Sequence, residues 1–385
     1  MSHKREASER IAADRGALTE ISHWMYDHPE VAYQEFESSA RLAEFLRSRG
    51  FEVEYPAYGL ETAFAARIGS TGPHVVICAE YDALPGVGHA CGHNIIATAA
   101  LGAGAALAPL AETLGFRLTV LGTPAEEHYG GKVDLIDAGA FDDVAAAMMI
   151  HPATDDIVDP NVIAVAHIDV HFHGKEAHAS AHPQLGVNAL DAFVQSYVNV
   201  STLRQAIYPT DKIHGVVREG GHAPNIIPAY TRSSWYVRAQ TRERLDVLFP
   251  KVEACFEAAA LATGCRVEVE HVGHVYSEMI SDKTLVEYFA ANTAELGRPM
   301  GRGRDLPPSQ TGSTDMGNVS LLVPTIHPMI DIAADPHVNH QPEFAAHTIT
   351  SDGDQAIIDG ATAMAWTVID LAEQDAWDRL GVPVG

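Results

Sequence analysis

The sequence predicts an α/β fold in which helices wrap a mostly parallel sheet and a smaller α+β domain is inserted. Two observations predict it. Between residues 62 and 152, four strand-like apolar runs alternate with helix-like segments, and three of the runs end in a charged or histidine-bearing loop. From about Val165 the pattern changes to β alternation around one helical stretch, and after about Val272 the α/β character returns. The expected boundaries are 1–164 for the first part of the main domain, 165–272 for the insert and 273–385 for the second part. A chain of 385 residues with 46% apolar content is long enough to build two cores.

In chain order, residues from Glu20 to Phe51 read as two helices. The second is "ESSARLAEFLRSRG", which Gly50 stops. The strand-like runs "TAFAARIG", "HVVICAEYD", "RLTVLGTPAEE" and "AAAMMIHP" follow. In open α/β sheets ligands collect at the carboxyl ends of the strands. Glu80, Asp82, Glu126, Glu127 and His151 all fall at such ends and should converge. In the insert, "IDVHFHG" and "SSWYVRAQT" alternate as strands around the helical "VNALDAFVQSYVNVSTLRQ". The chain closes on the helical "GDQAIIDGATAMAWTVIDLAEQ", and no internal repeat or low-complexity segment stands out.

Composition excludes some functions. There are 25 basic against 51 acidic side chains, a formal charge of −26, which repels nucleic acid and anionic membranes, so neither is expected as a partner. The N-terminus is charged and helix-patterned, without an apolar stretch of signal-peptide or membrane-span length, and a cytoplasmic address is expected. Cys78, Cys91, Cys255 and Cys265 have no regular spacing, which points to reduced thiols rather than disulfides. The 21 histidines raise the prior on metal chemistry.

The chemistry concentrates in "YDALPGVGHACGHN", residues 81 to 94. An extended backbone there would aim Cys91 and His93 to one side. Asn94 suits the N-cap of the apolar helix that follows, whose N-terminus would favour the thiolate of Cys91. Cys91 is then either a nucleophile beside bases or one part of a metal site. In "GTPAEEH" two adjacent carboxylates close a strand; on extended backbone they diverge, so one can hold metal while the other reaches water. His151 follows an apolar strand, where a lone histidine is usually a hydrogen-bonded structural residue. His337 and His340 lie in the turn-rich "DPHVNHQPEF", where a surface position is the plainer reading.

Together these segments resemble the metal-dependent aminoacylase/carboxypeptidase-type amidohydrolases, a family that includes auxin-conjugate hydrolases. The likeness is strongest to the branch with p-aminobenzoyl-glutamate hydrolase and the dipeptidases acting on basic dipeptides. It spans nearly the whole chain through "DHPEVAYQEF", "CAEYDALPGVGHACGHN", "TPAEE", "GKEAHAS", "EGGHAPNIIPAYT", "GSTDMGNVS" and "NHQPEF". The resemblance implies a metallopeptidase-like catalytic domain with an inserted lid/dimerisation domain. It makes Cys91, His93, Glu127, His151 and His340 the ligands of a two-metal centre, with Cys91 bridging. It makes Glu126 the general base and Asp82 the support of a ligand histidine. It places His178 opposite the scissile carbonyl, often from the partner of a homodimer, and Asn225 and Arg238 at the substrate. Related branches often carry Asp where this chain has Asn94.

The reaction implied is hydrolysis of an amide in an N-acyl amino acid, an aminobenzoyl-glutamate-like conjugate or a dipeptide. Activated water gives its proton to Glu126, the oxyanion is met by metal and His178, and Glu126 protonates the leaving amine. The mixed donor set suits zinc or manganese, with cobalt or nickel as further options. The rival readings are a cysteine-nucleophile amidase using Cys91 and a non-catalytic protein that binds metal and amino-acid derivatives.

Overall fold

In the computed structural model, which describes residues 2–307 and 311–381, the chain divides into two compact units. One comprises the residues up to Asn161 and those from Met279 onward; the other spans Val162–Glu278. This second unit reaches beyond 165–272 because Val165 and Tyr276 exchange backbone hydrogen bonds, at 3.0 Å each way, which draws the following residues in.

In the first unit, the strand His74–Ala79 lies inside a six-stranded sheet. The spatial order is Glu52–Glu54, Phe64–Ile68, Arg117–Gly122, His74–Ala79, Ala146–Met148 and Thr325–Ile326. The last three pairings are parallel and the first two antiparallel. The chain leaves His74–Ala79, adds Arg117–Gly122 on one side, then crosses to add Ala146–Met148 on the other. In open α/β sheets, ligands bind at the carboxyl ends of the strands where the order reverses in this way.

Three helices, His3–Asp27, His93–Leu107 and Ser351–Glu373, pack against one another over this sheet. All fifteen residues of His93–Leu107 are buried, because small residues let it approach closely: a Cβ on Gly104 would lie 2.4 Å from a Val120 methyl. The apolar stretch His93–Leu114 is long enough to cross a membrane, but 94% of its most apolar window is buried inside the unit, as in a core helix. The helix read from "ESSARLAEFLRSRG" runs Phe36–Ser48, and Gly50 follows with φ 88°.

The second unit is an antiparallel four-stranded sheet in the order Arg266–His271, Ala164–His173, Tyr230–Ala239, Lys212–Glu219. The helices Ala189–Leu203 and Arg242–Thr263 cover one face. Alternate strand residues point into that interface, so Ile168, Val170, Phe172, Trp235 and Val237 form a core with Leu248 and Phe256.

Candidate metal centre

The strand ends deliver their polar residues to one place. Glu80 and Asp82 follow His74–Ala79, Glu126 and Glu127 follow Arg117–Gly122, and His151 follows Ala146–Met148. The backbone at "HACGHN" is not extended. Gly92 adopts a left-handed φ of 81° and caps the helix His93–Leu107, so Cys91 and His93 meet across a turn. A Cβ on Gly92 would sit 2.3 Å from the Pro152 ring, so this turn needs glycine for space as well as conformation. The helix therefore starts before Asn94. Asn94 is no cap: its buried amide donates to the Ser22 and Thr348 hydroxyls at 3.0 and 3.1 Å, a job an aspartate could not do.

Glu126 and Glu127 likewise sit on a turn, not on extended chain. Ala125 has φ 59°, and its N–H donates to the buried Glu35 carboxylate at 2.9 Å; the other Glu35 oxygen accepts from Thr62 at 2.9 Å. Burial, with Asp82 adding to it, pushes the Glu35 carboxyl up to about 7. His340 also has a left-handed φ, 73°, and is held by its N–H to the Ala90 carbonyl at 2.8 Å.

Cys91 stands in two groups of potential metal donors, one with His93 and His151 and one with Glu127 and His340. Its Sγ lies 3.5 Å from His151 Nε2 and 3.7 Å from His340 Nε2. The histidines are prepared for metal. His93 Nδ1–H donates to Asp82 at 3.0 Å and His151 Nδ1–H donates to the Pro152 carbonyl at 2.8 Å, leaving each Nε2 as a lone-pair donor. His93 Nε2 and Glu127 Oε1 are buried without a hydrogen-bond partner. Nitrogen and sulfur donors on one tetrahedral ion stand about 3.3–3.6 Å apart, given typical zinc bond lengths. The Cys91–His151 spacing meets that test, and a soft, mixed Cys/His/carboxylate set is metal chemistry.

Burial, then Glu127, pushes the Cys91 thiol well above its ordinary value, against the thiolate expected from the helix terminus. Desolvation beside a carboxylate outweighs the helix dipole here. Burial opposes a charged His93, but Asp82 and then other neighbours overcome it and raise its pKa. Burial lowers His151 to about 4. Burial and the carboxylates of Glu80, Glu127 and Asp315 push Glu126 well up, and burial with Asp82 lifts Glu127 to about 7.

Several residues here were not singled out from sequence. Lys132, fully buried, pairs with Glu80 and donates to Asp315 at 2.7 Å. His327 is buried with both ring nitrogens unpartnered, its ring 5.4 Å from that of His151. The one signal was Glu80 at a strand end; a lysine in "GGKVDL" and a histidine in "TIHPMI" carry none in isolation.

The remaining expected residues lie in the second unit. His178 is exposed, and its Nδ1 accepts the Ala181 N–H at 3.2 Å, which leaves the proton on Nε2. Its strand-like segment bridges to Ile226, and Asn225 accepts from the Ala179 N–H at 3.0 Å through its carbonyl. Arg238 lies over the Tyr236 ring, 5.6 Å from its centroid.

Residues 76–364 match the profile described as peptidase family M20/M25/M40. The chain is 41% identical to the Xaa-Arg dipeptidase of Mus musculus, over 96% of this chain and 88% of that protein. It is 31% identical to one of the polypeptides of the p-aminobenzoyl-glutamate hydrolase of Escherichia coli, over 77% of this chain and 66% of that one. Among solved structures, a dinuclear metal-binding peptidase of Bacillus subtilis superposes with a TM-score of 0.71 at 21% identity, over 94% of this chain and 99% of the other, a likeness of fold.

Proposed function

This chain belongs to peptidase family M20/M25/M40, and from that premise we propose that it hydrolyses dipeptides with a C-terminal basic residue. As a member of that family it is a metal-dependent amidohydrolase acting on the amide bond of a dipeptide, an N-acyl amino acid or an aminobenzoyl-glutamate-like conjugate. The preference for a basic dipeptide is supported by the 41% identity to the mouse Xaa-Arg dipeptidase across most of both chains. The observation that carries the reaction is the position of Cys91 in both donor groups, with Glu126 beside His93 at 3.9 Å.

In this reading His93 and His151 would hold one ion and Glu127 and His340 the other, and Cys91, which stands in both donor groups, would serve both. Bound divalent cations supply Lewis acidity, which polarises a carbonyl and lets water act as a nucleophile near neutral pH. Zinc suits the donors best, with manganese the alternative. Glu126 takes the proton of the attacking water and returns it to the leaving amine, a shuttle suited to a carboxyl whose pKa is raised by burial. Asp82 holds His93 in the tautomer the metal needs. His178 donates its Nε2–H to the developing oxyanion, and Asn225 and Arg238 bind the substrate. A homodimer is part of the proposal: in the second unit the helix Ala189–Leu203 exposes Val194, Tyr197 and Val198, and the edge strand Lys212–Glu219 exposes Val216 and Val217. So is a reducing, cytoplasmic setting, since Cys91 must remain a free sulfur to bind metal.

The cysteine-nucleophile reading has less support, because Cys91 stands in two groups of metal donors at once, an arrangement a nucleophile does not need. The test is amine release from dipeptides ending in Arg or Lys, aminobenzoyl-glutamate and N-acyl amino acids, with zinc or manganese and with a chelator. Chelator-sensitive turnover highest on basic dipeptides is expected. Turnover that survives chelation removes the metal mechanism, and equal turnover of neutral dipeptides removes the basic preference.

A further inference from the structure

The turn that carries Glu126 and Glu127 also presents one side chain to solvent. From Leu121 to Lys132 the chain is buried except at His128, which is half-buried, and Tyr129, which is 44% exposed. The turn is tightly closed: the Gly130 and Gly131 N–H groups donate to the Ala125 carbonyl at 3.0 and 3.2 Å, and a Cβ on Gly131 would lie 2.0 Å from the Pro124 carbonyl oxygen. His128 has φ 90°, a left-handed backbone that non-glycine residues rarely adopt and that structures retain mostly at functional sites. Tyr129 is the second residue after Glu127, so their Cα atoms are no more than about 7 Å apart.

A second aromatic residue backs the Tyr129 ring. Its centroid lies 5.7 Å from that of Tyr33, at an interplanar angle of 45°, a favourable tilted contact. Tyr33 is itself fixed, since its hydroxyl donates to Asp134 Oδ2. Burial, and then Asp134, Asp315 and Glu35, push its phenol above its ordinary range, so it stays neutral among carboxylates. The face of an aromatic ring attracts a cation, and carboxylates near it add to that attraction. Core packing does not account for a large ring left in solvent on the turn that carries Glu126 and Glu127.

We propose that Tyr129, backed by Tyr33, seats the cationic side chain of the substrate, with its guanidinium or ammonium over the ring face. This rests on the basic-dipeptide reading above and names the residue that produces the preference. The scissile amide would lie at the donor groups that share Cys91, and the long stem of arginine or lysine lets the charge reach the Tyr129 ring. A neutral side chain of the same length gains only the apolar contact. Tyr33 and Asp134 are positioning residues, which act by fixing the ring pair.

Metal-loaded wild type, Tyr129→Leu and Tyr129→Phe are assayed on Ala-Arg and on Ala-citrulline, which has nearly the same shape but no charge. The readout is the ratio of the two kcat/KM values, which a general loss of folded protein or of metal leaves unmoved. The ratio should fall at least about fivefold in Tyr129→Leu and stay within about twofold of wild type in Tyr129→Phe. An unchanged ratio in Tyr129→Leu overturns the seat, even if both substrates slow together, because the ring then serves only the turn. A ratio that falls as far in Tyr129→Phe overturns the ring face as the contact. A wild-type ratio near unity overturns the basic preference itself, an outcome read without any variant. If Tyr129→Leu does not fold, Tyr129→Trp decides: indole attracts cations best, so a raised ratio supports the seat and an unchanged or lower one overturns it.

Discussion

Asp82 joins His93 to the turn that carries Glu127: its Oδ1 accepts from His93 Nδ1 at 3.0 Å, and its Oδ2 accepts from the Glu127 backbone N–H at 2.9 Å. One carboxylate thereby sets the tautomer of a histidine at the start of a helix and the position of a carboxylate beyond the neighbouring strand. Asp82→Asn replaces one acceptor with an NH2 group that must face an N–H donor. Zinc affinity should fall about 10–100-fold, as when outer partners of metal ligands are lost. Zinc content after dialysis checks it, and wild-type retention would show that Asp82 does not orient the ligands.

Glu126→Gln keeps shape and burial but cannot carry the proton. Bound metal should be unchanged while kcat falls at least about 10²–10⁴-fold, with KM little moved. A variant retaining more than a tenth of wild-type kcat would take the base role away from Glu126.

Glu35 links pH to stability. Its folded pKa of about 7 lies above the ordinary 4.5, so between those values the folded state binds more protons than the unfolded one. Its contribution is therefore full below about pH 4.5 and is lost as pH rises through 7. In metal-free protein, Glu35→Gln should flatten the decline in Tm between pH 5 and 8, by the equivalent of about 1–3 kcal/mol. Parallel pH profiles for wild type and variant would count against it.

Gly92→Ala forces a side chain into a left-handed turn, against Pro152 at 2.3 Å. The strain should cost about 1–3 kcal/mol or more, read as a lower Tm, and displace Cys91 from His93 enough to weaken metal binding. Unchanged Tm and zinc affinity would mean that the turn relaxes without moving its ligands.

Cys91 should be protected by metal. In zinc-loaded protein its alkylation, followed by peptide mass spectrometry, should be far slower than that of Cys255 and Cys265, which are also partly exposed. Chelation should speed labelling at Cys91 alone. A rate indifferent to metal would remove the sulfur from the centre.

The sequence by itself determined the α/β class, because alternation of apolar runs with helical segments is a local periodicity that any sheet of this kind must satisfy. It also marked Glu126, Glu127 and His151 as neighbours in space, since parallel strands put their carboxyl ends on one edge. Where local backbone mattered, periodicity misled: an extended "HACGHN" and an Asn94 cap gave way to a left-handed Gly92, whose need arises from Pro152, 60 residues away. Only the tertiary structure showed what opposes the helix dipole at Cys91, because the dipole is visible in sequence but desolvation beside Glu127 is not. It alone brought Lys132, Asp315 and Glu80 into one buried triad. Each is a common residue in an ordinary segment, and only their joint removal from water makes their ion pairs with Lys132 matter.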